Sequence, residues 1–128
     1  MGNEHFSLML NRQYLGIKGE STARDFLRRH GYQIRASGWR FKRLEIDIIA
    51  SYEDVLVFVE VKTRMFNPFG LPDDGLSRSQ IGNICRAATA YMENENWNGY
   101  WQFDLISVEW RGDGNYTLRH LKDLPFIE

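Results

Sequence analysis

Three side chains in this sequence, Asp47, Glu60 and Lys62, have the types and the spacing to do chemistry together. Asp47 lies in Glu45-Ile46-Asp47-Ile48-Ile49-Ala50, and Glu60 and Lys62 close the run Val55-Leu56-Val57-Phe58-Val59-Glu60-Val61-Lys62. Both stretches are apolar and rich in β-branched residues, as strands are, and the polar Tyr52-Glu53-Asp54 between them reads as a turn. Counting outward from the Glu53/Asp54 midpoint sets Asp47 opposite Glu60 and Glu45 opposite Lys62. Opposed residues share a face, with Cβ atoms ~4.5–5.5 Å apart. Two carboxylates at that range repel each other, and a divalent cation between them removes the repulsion. Hard oxygen donors of this kind suit Mg²⁺ or Mn²⁺. The other face, Ile46, Ile48, Ala50, Val55, Val57, Val59 and Val61, reads as core. A slip of one residue would separate Asp47 from Glu60. A structural alternative stays open on the residues alone: an ion pair between Glu45 and Lys62, with Asp47 and Glu60 exposed at the end of a sheet.

The elements that must position these groups follow from periodicity. Residues 11–30 read as a helix: Gly16, Glu20, Ala23 and Leu27 fall at helical spacing, with Leu15 and Phe26 beside them, and Gly31 is a natural stop. Glu20 is the odd member of that stripe. A buried carboxylate must be paired or bind metal, and the alternative is a position at the stripe's edge, paired with Arg24 one turn on. Residues 32–40 alternate Tyr32, Ile34 and Ala36 with polar partners, which predicts a first strand ahead of the 45–62 hairpin. Residues 65–76 contain Pro and Gly without period and read as a long loop leaving the charged end of the hairpin. A second helix is predicted over about 78–94, capped by Ser77 or Ser79, with Cys85 as a small core residue on its apolar stripe. Strands over 102–110 and 116–121 flank the turn Gly112-Asp113-Gly114-Asn115. His5, His30 and His120 show no ligand spacing and read as incidental, and Asp104 receives no role. The fold class is α/β, a mixed central sheet flanked by helices in the order αβββαβ with a short last strand.

At 128 residues the chain is expected to be one domain, 1–128. No apolar run approaches the ~20 residues a membrane helix needs, and no basic segment precedes the apolar patch near the N-terminus. One cysteine excludes an internal disulfide and a Cys-based zinc cage. A cytoplasmic protein with no membrane partner is expected. The net charge of −1 is unevenly spread: residues 11–43 carry nine Lys and Arg against Glu20 and Asp25, hence +7, which leaves −8 for the rest. Such asymmetry fits a phosphate-facing surface, and equally a solvated helix face.

The run Gly16-x-x-Gly19-Glu20-x-x-Ala23-x-x-Phe26-Leu27-x-x-x-Gly31-Tyr32-x-Ile34 is followed by Trp39-Arg40, Glu45-Ile46-Asp47-Ile48-Ile49-Ala50, Phe58-Val59-Glu60-Val61-Lys62-Thr63-Arg64, Ala87-Ala88-x-x-Tyr91 and Phe103-Asp104. Together these resemble the bacterial YraN family, which is similar to archaeal Holliday-junction resolvases and belongs to the PD-(D/E)XK nuclease superfamily. The resemblance implies a restriction-endonuclease-like core and a metal-dependent endonuclease acting on DNA, including branched DNA and Holliday junctions, in repair or recombination. It implies that Asp47 and Glu60 hold Mg²⁺ or Mn²⁺, joined by the Val61 carbonyl, and that Glu20 completes the site. Lys62 would orient or activate the attacking water, or stabilise the pentavalent phosphorane-like charge. A symmetric homodimer is implied too, since two paired nicks need two sites. Two departures stand out. Leu44 occupies a position where the family usually has Gly, and Gln80 aligns where it often has Lys; the amide can still bond a phosphate oxygen or water. Arg40, Lys42, Arg43 and Arg64 are candidate phosphate contacts. The rival reading is a catalytically degenerate module of the same fold that binds nucleic acid or recruits a partner.

Overall fold

The structure is a computed structural model that describes residues 3–69 and 76–125, with side chains from residue 13 onward. The elements are α1 (Asn3–Arg29), β1 (Gln33–Phe41), β2 (Leu44–Tyr52), β3 (Val55–Met65), α2 (Arg78–Asn94), β4 (Tyr100–Trp110) and β5 (Tyr116–Leu121). This is the predicted order, with α1 beginning well ahead of residue 11. Of the predicted loop over 65–76, residues 70–75 lie outside the described residues. The five strands form one mixed sheet in the order β1-β2-β3-β4-β5, with β3 and β4 parallel and every other pair antiparallel. A parallel pair needs a crossover, and α2 supplies it. Among the described residues no helix is long and apolar enough to cross a membrane.

Each face of the sheet has its own core. Ala23 and Leu27 of α1 pack with Ile48, Ala50, Val57, Val59, Ile106, Val108 and Trp110. Ile84, Ala87, Ala88 and Tyr91 of α2 pack with Ile46, Ile49, Leu56, Phe58 and Phe103. The helical stripe of α1 works because Gly19 has no side chain: a Cβ there would run into Thr63 of β3. That close approach brings Glu20, the next residue, to the sheet. Gly31 ends the helix with φ +89°, and the Tyr32 N–H closes on the Leu27 carbonyl at 2.9 Å. Ser77 is the N-cap of α2, as one of the two expected caps.

Two expectations about core positions are corrected. Both faces of the β2–β3 hairpin are buried, so its apolar residues do not divide into a core side and a charged side. Ile46 packs under α2 whereas Ile48 and Ala50 pack under α1, so the side-chain alternation of β2 breaks at Asp47. Cys85 is half-buried at the rim of a groove with Phe41, Arg86 and Thr89 instead of in the core. Burial pushes its thiol above the ordinary range, which keeps it protonated and a poor nucleophile.

Candidate active site at the strand fork

The β2–β3 hairpin pairs about the expected midpoint, from Tyr52↔Val55 to Ile48↔Val59. There the ladder stops while both strands run on, β2 paired with β1 as far as Phe41↔Leu44 and β3 paired with β4 as far as Met65↔Trp110. The two strands therefore fork. In place of a β2 backbone carbonyl, Oδ2 of Asp47 accepts the Val61 N–H at 2.8 Å. The N–H and C=O of a strand residue project to the same side, so the Val61 carbonyl faces the fork as well. The fork also corrects the predicted opposition of Glu45 and Lys62. Glu45 instead lies across from Arg40 on β1, with Oε2 3.0 Å from the guanidinium.

Asp47 and Glu60 meet at this opening, hydrogen-bonded side chain to side chain. Glu60 is pushed up to about 8, first by burial and then by the charge of Asp47, with Lys62 opposing. Asp47 is raised to about 6, first by burial, and the Val61 N–H partly offsets this while Glu20 and Glu45 add to it. At neutral pH the pair holds one proton between its two carboxylates, because two buried carboxylates in contact do not both ionise. Glu20, on α1, is raised by burial and by Glu45, with Arg24 pulling the other way. Both readings of Glu20 thus have a counterpart: it feels the carboxylate pair and Arg24 together.

A groove of about 180 Å³ opens beside Glu60, lined by Arg43, Leu44, Glu45, Gln80, Asn83 and Ile84. It runs between the β1–β2 hairpin and the start of α2. Lys42 and Arg43 are the two residues of that hairpin turn, with Lys42 at φ +56°. Arg43 lines the groove, Arg40 is tied to its Glu45 wall, and the Lys42 ammonium lies 5.2 Å from the Phe41 ring centroid. Arg64 lies farther along β3 and is held by Glu109 of β4 at 3.4 Å. Gln80 reaches the groove, but its side-chain carbonyl accepts the Ser77 N–H at 2.8 Å while its own N–H goes to Ser77 Oγ. This capping box gives Gln80 a structural job beyond the Lys position it occupies in the family pattern.

The donor set fits a hard divalent cation. Two carboxylates now share a proton that a cation could replace, and a strand carbonyl is aimed at the same opening. Among the described residues no three His, Cys, Asp or Glu side chains gather as a cage. Mg²⁺ commonly takes one or two carboxylates and completes its shell with water and phosphate oxygens.

One polar cluster gives work to two residues that the motifs leave without any, Asp104 and His120, the latter read as incidental. Asp104 is fully buried, with Oδ2 2.7 Å from Nε2 of His120 and Oδ1 accepting from Gln102 Nε2 and the Asp123 N–H, both at 2.9 Å. It ties β4 to β5 and to the chain beyond. The signal for it is an aspartate between Phe103 and Leu105 in a strand buried on both faces, where an unpaired charge is not tolerated.

The model of "Uncharacterised protein family UPF0102" matches residues 19–108, a span that includes Glu20, Asp47, Glu60, Lys62 and Gln80. The chain is similar to a UPF0102 protein of Bacteroides thetaiotaomicron, 38% identical over 115 residues, covering 90% of this chain and 94% of the relative. It is similar to one of Clostridium perfringens, 37% identical over 111 residues, 85% of this chain and 91% of the relative. A relative in Nitratidesulfovibrio vulgaris is 39% identical over 113 residues, 88% and 84% of the two chains.

Proposed function

We propose that this chain, which belongs to the uncharacterised protein family UPF0102, the YraN family its motifs resemble, is a divalent-metal-dependent nuclease that hydrolyses phosphodiester bonds in DNA. The observation that carries the reading is the proton-sharing pair Asp47 and Glu60 at an open strand fork, with Lys62 next on the same face of β3. A sheet built only for stability would not bury two touching carboxylates.

Asp47 and Glu60, with the Val61 carbonyl, would hold Mg²⁺ or Mn²⁺, and Glu20 would complete the site from α1. When bound, the cation supplies Lewis-acid polarisation of a phosphate oxygen and a lowered pKa for bound water. Lys62 orients the attacking water and offsets charge growing on the phosphate. The water oxygen bonds phosphorus and gives up a proton to solvent, the bond to one sugar oxygen breaks, and that oxygen takes up a proton from solvent. Arg40, Lys42 and Arg43 position the backbone at the groove without reading sequence. Branched DNA such as a four-way junction is the proposed substrate, cut by a symmetric homodimer in repair or recombination in the cytoplasm.

The test compares wild type with Lys62→Ala on labelled four-way, flapped and linear DNA in Mn²⁺. Cleavage by the wild type alone is the expected result. Equal cleavage by both proteins points to a contaminant and removes the enzyme reading. One observation favours a second reading, a binding module that has lost turnover: the carbonyl of Gln80 caps its own helix, so this position brings no cation to the phosphate. That module would bind the junction and leave it whole.

A further inference from the structure

On the face of the sheet away from α1, α2 packs on β1 and β2. The second halves of β3 and β4, and β5, carry no helix on this face among the described residues. Alternation lines up Glu60, Lys62 and Arg64 along β3, because Leu56 and Phe58 before them face α2. Phe66 continues the row, held in line by its N–H to the Trp110 carbonyl at 2.6 Å. At ~3.3 Å per residue Phe66 stands roughly 20 Å from Glu60. Phe66 is 43% exposed, and the Arg111 guanidinium lies over one face of its ring, 4.5 Å from the centroid. Sideways from Lys62 the register runs to Ser107 and then to the exposed Arg119, on the same face. Four cations, Lys62, Arg64, Arg111 and Arg119, thus share this surface beyond Glu60 with two carboxylates: Glu109, engaged by Arg64, and Asp113, whose charge acts on Arg111.

We propose that this face carries a single-stranded arm of the DNA leading away from the fork, with phosphates along the cations and an unpaired base stacked on Phe66. Charge complementarity selects a polyanion, and the aromatic ring selects an unpaired base, since every base has a π-face that pairing in a duplex keeps within the stack. The arm is joined to the scissile phosphate, because Lys62 is both a member of the surface and a neighbour of Glu60. The substrate class narrows accordingly, to branched or tailed DNA with an unpaired segment beside the cut. The inference rests on the nuclease reading only for where the scissile phosphate sits.

Binding is measured with the Asp47→Asn protein, so that no cleavage intervenes, on blunt duplexes and on duplexes with a tail of roughly ten nucleotides. The tail carries a 2-aminopurine whose fluorescence falls on stacking. Tailed DNA is expected to bind about tenfold more tightly than blunt, with quenching, and Phe66→Ala to lose about fivefold or more of that preference. Arg119→Ala lowers the salt slope on tailed DNA by about 0.7. Equal affinity for both DNAs, or a tail preference that survives both substitutions, overturns the inference. Wild-type cleavage against Lys62→Ala is scored in parallel. Tail-dependent binding without cleavage supports the track and removes the nuclease reading, whereas cleavage without tail preference does the reverse.

Discussion

Glu60→Gln should make the metal-free protein more stable at alkaline pH and abolish its stabilisation by Mn²⁺. Burial and the charge of Asp47 push the Glu60 carboxyl up to about 8 in the fold, from the ordinary 4.5, so between those values the folded pair holds a proton that the unfolded chain releases. For an acid raised in this way stability is complete below the unfolded value and is lost as pH rises through the folded one. Gln keeps the shape and the hydrogen bond to Asp47 but has nothing to ionise. At about 1.36 kcal/mol for each pH unit between the two values, the full displacement is a ceiling. Water at the half-open fork screens most of it, leaving roughly 2 kcal/mol. For a chain of this size that corresponds to roughly 6–10 °C in Tm. A cation at about 100 times its Kd adds roughly 2.7 kcal/mol to a protein that binds it, so wild type with Mn²⁺ and the variant without it should melt close together at pH 9. The assay is a thermal melt of both proteins at pH 5 and pH 9, in EDTA and in Mn²⁺. The variant's advantage appears only at pH 9, and the Mn²⁺ shift only in the wild type. A variant that melts below wild type at pH 9, or that keeps the Mn²⁺ shift, refutes the picture of two carboxylates held ready for a cation.

Lys62→Ala should lower cleavage by roughly 10²–10³, the loss typical of one donor to transition-state charge, while the Mn²⁺ melting shift persists. Lys42→Glu with Arg43→Glu should weaken duplex binding and lower the slope of log affinity against log salt by about 2, near 0.9 for each phosphate contact; an unchanged slope removes the hairpin turn from the interface. Gly19→Ala should lower stability by about 1–3 kcal/mol in a denaturant melt, because the new methyl overpacks against Thr63. Asp104→Ala should cost about 2–5 kcal/mol in the same assay, since it strands His120 and the Asp123 N–H in the interior; a near-neutral result there would show that water enters the β4–β5 interface.

The hairpin register follows from counting outward from Glu53/Asp54, and Tyr52↔Val55 is that pairing; the turn residues alone did not fix it, since Glu-Asp is not the Asn-Gly or Asp-Gly pair a tight hairpin favours and Glu53 has to take φ +53°. Helix α2 was legible to its ends, through Ser77 and a continuous apolar stripe. The fork was not. A sequence shows alternation, but not where a side chain will replace a backbone partner, as Asp47 does for Val61, nor that Ile46 packs in the opposite core from Ile48. The double task of Gln80 was hidden for a related reason. Ser-x-x-Gln ahead of an apolar run is itself a capping-box signature, but the same residue also stands at a site position of the family, and pattern alone does not say which task its amide takes. Asp104 and His120 are sixteen residues apart and meet because β5 folds back on β4; the Gly112–Asn115 turn announces that hairpin, but not the register that brings these two side chains together.

The fork also explains how the fold tolerates such a site. A closed ladder has no room for an ion, since each backbone acceptor already has its donor. Ending the ladder at Ile48↔Val59 frees Val61, and the Asp47 carboxylate then satisfies the Val61 N–H without bringing β2 and β3 back together. The unfavourable part, two carboxylates in contact, is confined to one end of the hairpin. Its other end is clamped from both sides, by Leu27 and Ala23 above Val57 and Val59, and by Tyr91 and Ala88 above Phe58 and Leu56. A single-sided sheet would relieve the repulsion by sliding β2 along β3. With both faces buried, a slip of one residue would drive every apolar side chain of the strand into the wrong core. The repulsion is therefore left to be relieved at the site itself, by a proton when no cation is bound.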